Sequence, residues 1–188
     1  MADWYDDYEL LIADSSVLFR FFEAGAAITM ALMSAIGNRI YIVESVDAEI
    51  KRYRNDPTFA AGIEAFFAAQ VNEPLEPRLA VTREVKKMLD LQRKYSMGTA
   101  DIGEYETVLT ADAEWDAGTY YLILMGDGEG RNMARQRDLP HVSSYMFVVE
   151  LVARGVLNRE QGMVVARTIA GAHFDEARFD ADVADQGV

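Results

Sequence analysis

Short apolar runs alternate along this chain with longer stretches in which apolar residues recur every three or four positions. Short continuous runs are typical of strands buried on both faces, and the recurring spacing is typical of amphipathic helices. The pattern predicts strands at residues 9–13, 40–43 and 120–125, with a short edge strand at 140–142. It predicts helices at residues 17–36 (broken near Gly25), 45–54, 58–70, 81–97, 100–115, 129–137, 143–154 and 158–169.

Strands that alternate with helices favour parallel pairing, because right-handed helical crossovers join parallel strands. We therefore expect an α/β fold, a three-layer α/β/α sandwich around a central parallel sheet of about four to five strands. The 188 residues suffice for one domain, which we place at residues 1–172. Residues 173–188 are rich in acids, and we expect them to form a frayed tail.

Composition and charge narrow the possible functions. The chain has no cysteine, which excludes disulfides, thiolate zinc sites and a cysteine nucleophile, and which suits the cytoplasm. The net charge of −13 repels nucleic acid, so binding it requires a local basic patch or a bound metal ion. We expect neither a signal peptide nor a membrane span, because the first residues are acidic and the longest nearly apolar run, residues 24–37, is too short.

Four carboxylates stand where apolar segments end or where helices begin: Asp14, Glu49, Glu104 and Asp127. Ligands of parallel α/β sheets bind beyond the carboxyl ends of the strands, where Asp14 and Asp127 are expected. Carboxylates that converge repel one another unless a hard divalent cation neutralises them. Each acid also has a simpler explanation, as a helix cap, a first-turn acid, a turn residue or a solvated side chain.

Five segments, taken in order, resemble the PIN-domain family of metal-dependent ribonucleases, and in particular the toxins of bacterial toxin–antitoxin pairs. The similar segments are Leu-Ile-Ala-Asp14-Ser-Ser16, Val46-Asp-Ala-Glu49-Ile, Gly103-Glu104-Tyr-Glu106, Gly-Asp127 with Arg131, and Ser143 through Gly155. The chain departs from the family at Asp127, which has glycine on both sides, and in an insert at residues 58–77.

The resemblance implies an endoribonuclease that hydrolyses single-stranded RNA with Mg²⁺ or Mn²⁺ held by Asp14, Glu49, Glu104 and Asp127. It implies an antitoxin partner, and we also expect a homodimer. The helices from Phe19 to Met33 could form a groove for an antitoxin helix, a homodimer face or simply core.

Several points stay open at this level. Helical periodicity nominates Glu106 whereas the resemblance nominates Glu104, and Asp101 and Glu129 are further candidates. The number of metal ions is undetermined. Alternative functions are a catalytically inactive PIN-like interaction module and a metal-dependent nuclease acting on DNA. A phospho-acceptor module is rejected, because all four lysines precede the last strong strand: Lys51, Lys86, Lys87 and Lys94.

Overall fold

A computed structural model describes residues 7–95, 102–126 and 128–186. Its strands are β1 (Leu10–Ala13), β2 (Ile40–Tyr41), β3 (Tyr121–Met125) and β4 (His141–Ser143). Its helices are α1 (Ser15–Ala24), α2 (Ala26–Ile36), α3 (Glu44–Arg52), α4 (Ala60–Ala69), α5 (Leu79–Tyr95), α6 (Ile102–Trp115), α7 (Gly128–Gln136), α8 (Ser144–Ala153), α9 (Arg159–Ala170) and α10 (Glu176–Gln186). Short 3₁₀ turns occupy Gly37–Arg39 and Gly171–His173.

The four strands form one parallel sheet in the order β2-β1-β3-β4, flanked by helices. The central pair is in register from Leu10 opposite Tyr121 to Ala13 opposite Leu124. Every residue of β3 is buried, as the continuous apolar run predicts for a strand covered on both faces. The predicted α/β fold with a three-layer sandwich is confirmed.

The second strand is shorter than the predicted 40–43. After Tyr41 the chain leaves β1, and Val43 instead pairs with Leu75. The Leu75 amide donates to the carbonyl oxygen of Ile42 at 2.8 Å, and the side chain of Asn72 donates to the Ile40 carbonyl oxygen at 2.8 Å. The segment around Leu75, which lies between the predicted helices at 58–70 and 81–97, therefore extends the edge of the sheet.

The predicted break near Gly25 is confirmed, since α1 and α2 meet there at a φ of 105°. This left-handed region favours glycine, which has no Cβ to clash with the backbone. Most apolar residues of these two helices are buried, including Phe21, Phe22 and Leu32, whereas Met30 is 40% exposed. Three roles were left open for residues 19–33: a groove for an antitoxin helix, a homodimer face or core. The buried side chains are part of the core.

In the part of the chain that the structure describes, the buried apolar side chains form two separate groups. The main cluster joins the sheet to most of the helices and includes Leu11, Phe21, Ile123, Phe147 and Phe179. The satellite cluster consists of Val81, Val85, Tyr105 and Leu109, and packs α5 against α6.

The frayed tail predicted for residues 173–188 is wrong for most of that segment. Residues 176–186 form α10, whose Phe179 is fully buried in the main cluster. Arg159 on α9 bonds Glu176 at 2.6 Å and Asp180 at 2.7 Å, and the hydroxyl of Tyr145 donates to Asp182 at 2.7 Å. The acidic residues that indicated a solvated tail are thus the polar side of an amphipathic helix.

Candidate functional site

Asp14 lies directly beyond β1, at the carboxyl end of the sheet. Its backbone amide donates to the Leu124 carbonyl oxygen at 3.0 Å, which continues the ladder with β3 for one more residue. Its side chain caps α1, because Oδ2 accepts the Ser16 amide at 3.1 Å and also a hydrogen bond from the Ser16 hydroxyl. Asp14 is only 1% exposed, so this carboxylate is held in a fixed position within the rim of the core.

Ser16 connects Asp14 to the end of β3. The amide of Gly126 donates to the Ser16 hydroxyl oxygen at 3.1 Å. A Cβ on residue 126 would lie 2.4 Å from that oxygen and 3.1 Å from the hydroxyl oxygen of Ser144, so a larger residue would have to displace the Ser16 side chain. The chain therefore leaves β3 beside Asp14. Asp127, the next residue, lies outside the described residues, and its place in the site stays a prediction.

Glu104 and Glu106 on α6 are both buried, with 5% and 8% exposure. The helix is covered from two sides: Val108 belongs to the main cluster, whereas Tyr105 belongs to the satellite cluster. Because both faces of α6 are covered, burial does not choose between the two acids. Asp101, the third candidate near this helix, lies outside the described residues.

Glu49 is half-buried on α3, a helix that packs against α6. Its neighbour Asp47 is more deeply buried, at 9% exposure, and accepts a hydrogen bond from Lys51 Nζ at 2.6 Å. We did not single out Asp47 from the sequence, although its spacing of four residues from Lys51 is a recognisable helix ion pair. Asp47 thus forms a structural ion pair beside the candidate ligand.

The structure also defines the surroundings of two further acids, Glu129 and Glu150. Glu129, which we left open as a ligand, lies exposed on α7, and its Oε1 accepts from the Tyr105 hydroxyl at 3.2 Å. Glu150 on α8, which the sequence did not single out, is 3% exposed and accepts from Arg154 Nε at 2.9 Å.

The described residues do not bring the predicted ligands together as a set. Within residues 7–95, 102–126 and 128–186, no group of three or more histidine, aspartate or glutamate side chains is arranged to hold a metal ion. Asp14, Glu49 and Glu104 therefore do not form such a group by themselves. The oxygen donors are of the kind that Mg²⁺ and Mn²⁺ prefer, so the chemistry fits while the four-residue grouping stays a prediction.

None of the helices in the described part of the chain is both long and apolar enough to cross a membrane. No family model matches the sequence, and no curated protein and no solved structure matches it significantly.

Proposed function

We propose that this protein is a nuclease that uses Mg²⁺ or Mn²⁺ to hydrolyse phosphodiester bonds in single-stranded RNA. The observation that supports this most is the position of Asp14, a buried carboxylate fixed at the carboxyl end of a central parallel strand. The neighbouring strand β3 ends at the same edge, where the amide of Gly126 bonds the Ser16 hydroxyl that also bonds Asp14. Ligand sites of open parallel sheets lie at this edge.

In this proposal Asp14 is the main metal ligand, and Glu49, Glu104 and Asp127 complete the donor set. A bound divalent ion supplies a water of lowered pKa and neutralises charge on the phosphate. Ser16 holds Asp14 in one orientation through its amide and hydroxyl. The dipole at the start of α6 favours a charged carboxylate at Glu104, in the first turn.

The biological role of the protein and its place in the cell are also part of this proposal. The resemblance to PIN-domain toxins supports a toxin that an antitoxin restrains, acting in the cytoplasm. We also propose that the protein is a homodimer. DNA is the alternative substrate, because coordination of a phosphate by a metal ion does not involve the 2′-hydroxyl that distinguishes RNA from DNA.

A second candidate function is a catalytically inactive interaction module with the same fold. The observation that favours it is the hydrogen bonding of Asp14, whose Oδ2 already has a complete structural role as the cap of α1. A capping aspartate in that role contributes about 1 kcal/mol to stability without any metal.

Cleavage by an Asp14→Asn variant separates these two candidates. Asparagine caps helices as well as aspartate does, so the variant should keep its fold and melting temperature. Labelled single-stranded RNA incubated with Mn²⁺ should be cut by the wild type, and the variant should lose at least about a hundredfold in rate, the scale of removing one transition-state contact.

The matched control is Asp116→Asn, an exposed acid beyond the end of α6, which should cleave like the wild type. A wild type that cuts neither RNA nor DNA with Mn²⁺ would support the inactive module. Cleavage of DNA alone would assign the alternative substrate.

A further inference from the structure

A cleft lies at the amino end of the sheet, opposite the carboxyl end at which Asp14 is placed. It is formed where the chain enters β1 and where the turn after α6 leads into β3, and we call it the amino-end cleft. Its volume is about 880 Å³, within the range of small-molecule sites. The side chains that matter for its chemistry are those of Asp7, Tyr8, Glu9, Trp115, Thr119 and Tyr120.

We propose that the amino-end cleft binds a flexible organic cation with more than one ammonium group, whether a free polyamine or the neighbouring lysine side chains of a peptide. Such binding does not depend on the proposed nuclease activity, because none of the lining residues belongs to the proposed metal site.

Two aromatic side chains form a corner in the cleft. The rings of Trp115 and Tyr120 have centroids 4.6 Å apart and planes at 76° to each other. Rings at this angle allow one cation to lie near the faces of both, and an ammonium group within about 6 Å of a ring centroid is attracted by its π electrons. Tyr120 is 53% exposed, so its ring is accessible to a ligand.

The fold holds this corner in place before any ligand binds. Trp115 and Tyr8 pack against the main cluster. In the turn that follows α6, the Gly118 amide donates to the Trp115 carbonyl oxygen at 3.0 Å. The Thr119 amide donates to the Glu114 carbonyl oxygen at 2.9 Å. Walls that are already ordered lose little conformational entropy on binding, which favours affinity.

Carboxylates give the cleft its preference for a cation. Asp7 and Glu9 lie on the segment that enters β1, and both are exposed. No ion pair joins either carboxylate to another residue within the described ranges, so both charges are available to a ligand. Carboxylates repel phosphate and carboxylate ligands and form charge-assisted hydrogen bonds with ammonium groups. Two carboxylates beside an aromatic corner attract more than one positive charge.

Arg39 binds the same segment from the side away from the aromatic corner. It precedes β2, which pairs with the edge of β1 opposite to β3, whereas Trp115 and Tyr120 precede β3. Its guanidinium donates to the backbone carbonyl oxygens of Tyr8 and Glu9. These two bonds are to backbone oxygens, so they fix the course of the segment that carries the Glu9 carboxylate.

Calorimetric titration of spermidine, a small polyamine, into the full-length protein tests the proposal, and a parallel titration uses tetralysine. Tyr120→Ala should weaken binding about fivefold, the scale of one cation–π contact at an exposed site. Tyr120→Phe keeps the ring face and should bind like the wild type. Glu9→Gln should weaken binding about two- to fivefold, the scale of an exposed ion pair. The ligand whose affinity depends on Tyr120 identifies the source of the ammonium groups.

The matched control for Glu9→Gln is Glu160→Gln on α9, an exposed acid remote in the chain from the cleft, which should bind like the wild type. It measures the unspecific attraction that a chain of charge −13 exerts on any polyamine. Undetectable binding of both ligands, or equal binding by wild type and Tyr120→Ala, would overturn the proposal. If Tyr120→Ala does not fold, the glutamate pair decides, and equal losses in Glu9→Gln and Glu160→Gln would overturn it.

Discussion

The main cluster and the satellite cluster bury side chains of the same kinds but stabilise very different parts of the molecule. The main cluster connects the sheet to helices on many sides and extends to Phe179 in α10. The satellite cluster joins α5 to α6, supplemented by exposed ion pairs such as Glu84 with Arg137. Elements with few buried apolar contacts open locally at low free-energy cost.

This difference bears on function because α6 belongs to both clusters. Val108 on α6 packs in the main cluster and fixes the helix on the sheet. Tyr105 and Leu109, on the same helix, pack against α5 in the satellite cluster. The candidate carboxylate Glu104 is thus on a helix that the main cluster fixes, whereas its neighbour α5 is held through the satellite cluster. In the proposed nuclease, a firmly held carboxylate next to a weakly held helix would suit the admission of a flexible single strand.

The largest expected effect is that of Phe179→Ala. This side chain is fully buried and packs near Tyr145 and Phe174, with ring centroids 6.3 and 6.0 Å away. Its loss should lower the free energy of unfolding by about 3–5 kcal/mol, the usual cost of emptying such a site. Urea denaturation measures this, and a loss below about 1 kcal/mol would mean that α10 is not part of the main cluster.

A matched valine pair compares the two clusters directly. Val165 on α9 is fully buried in the main cluster, and Val85 on α5 is 7% exposed in the satellite cluster. Val165→Ala should lower global stability by about 2 kcal/mol, from lost burial and a residual cavity. Val85→Ala should lower it by less than about 1 kcal/mol and speed hydrogen exchange mainly in α5. Equal global losses would show that both clusters unfold as one unit.

The smallest expected effect is a dependence of stability on pH, which arises from Tyr145 at the outer side of the main cluster. Burial and the hydrogen bond to Asp182 raise the pKa of Tyr145 to about 12, from an ordinary value of 10.0. The unfolded chain therefore loses this proton first, so the stabilisation is complete below pH 10 and is lost as the pH rises towards 12. Stability of the wild type should fall over that range, and Tyr145→Phe should lessen the fall. A tyrosine titration at position 145 near pH 10 would contradict this.

The order of strands and helices was predictable because each element carries its own local pattern. Residues 120–125 form a continuous apolar run and 9–13 a nearly apolar one, and each contains an observed strand. The shortened β2 was not predictable, because the pairing of Val43 with Leu75 depends on a segment far along the chain. Helix α10 was missed because its acids dominate the composition, while its stability depends on Phe179 and Arg159.

The candidate site was predictable only in part. The position of Asp14 followed from the end of an apolar strand, and the structure places it at the carboxyl end of β1. The choice between Glu104 and Glu106 could not be made from one helical stripe, because α6 is covered on two sides. Convergence of side chains that are distant in sequence is a tertiary property that local spacing does not encode.

The most direct test of the central proposal is calorimetric titration of Mn²⁺ into the wild type, Asp14→Asn and Asp116→Asn. If Asp14, Glu49, Glu104 and Asp127 hold one cation together, the wild type and Asp116→Asn should bind Mn²⁺ with the same affinity. Asp14→Asn should bind at least about tenfold more weakly, since it loses a ligand charge. Undetectable binding by the wild type, or equal binding by Asp14→Asn, would contradict the shared metal site.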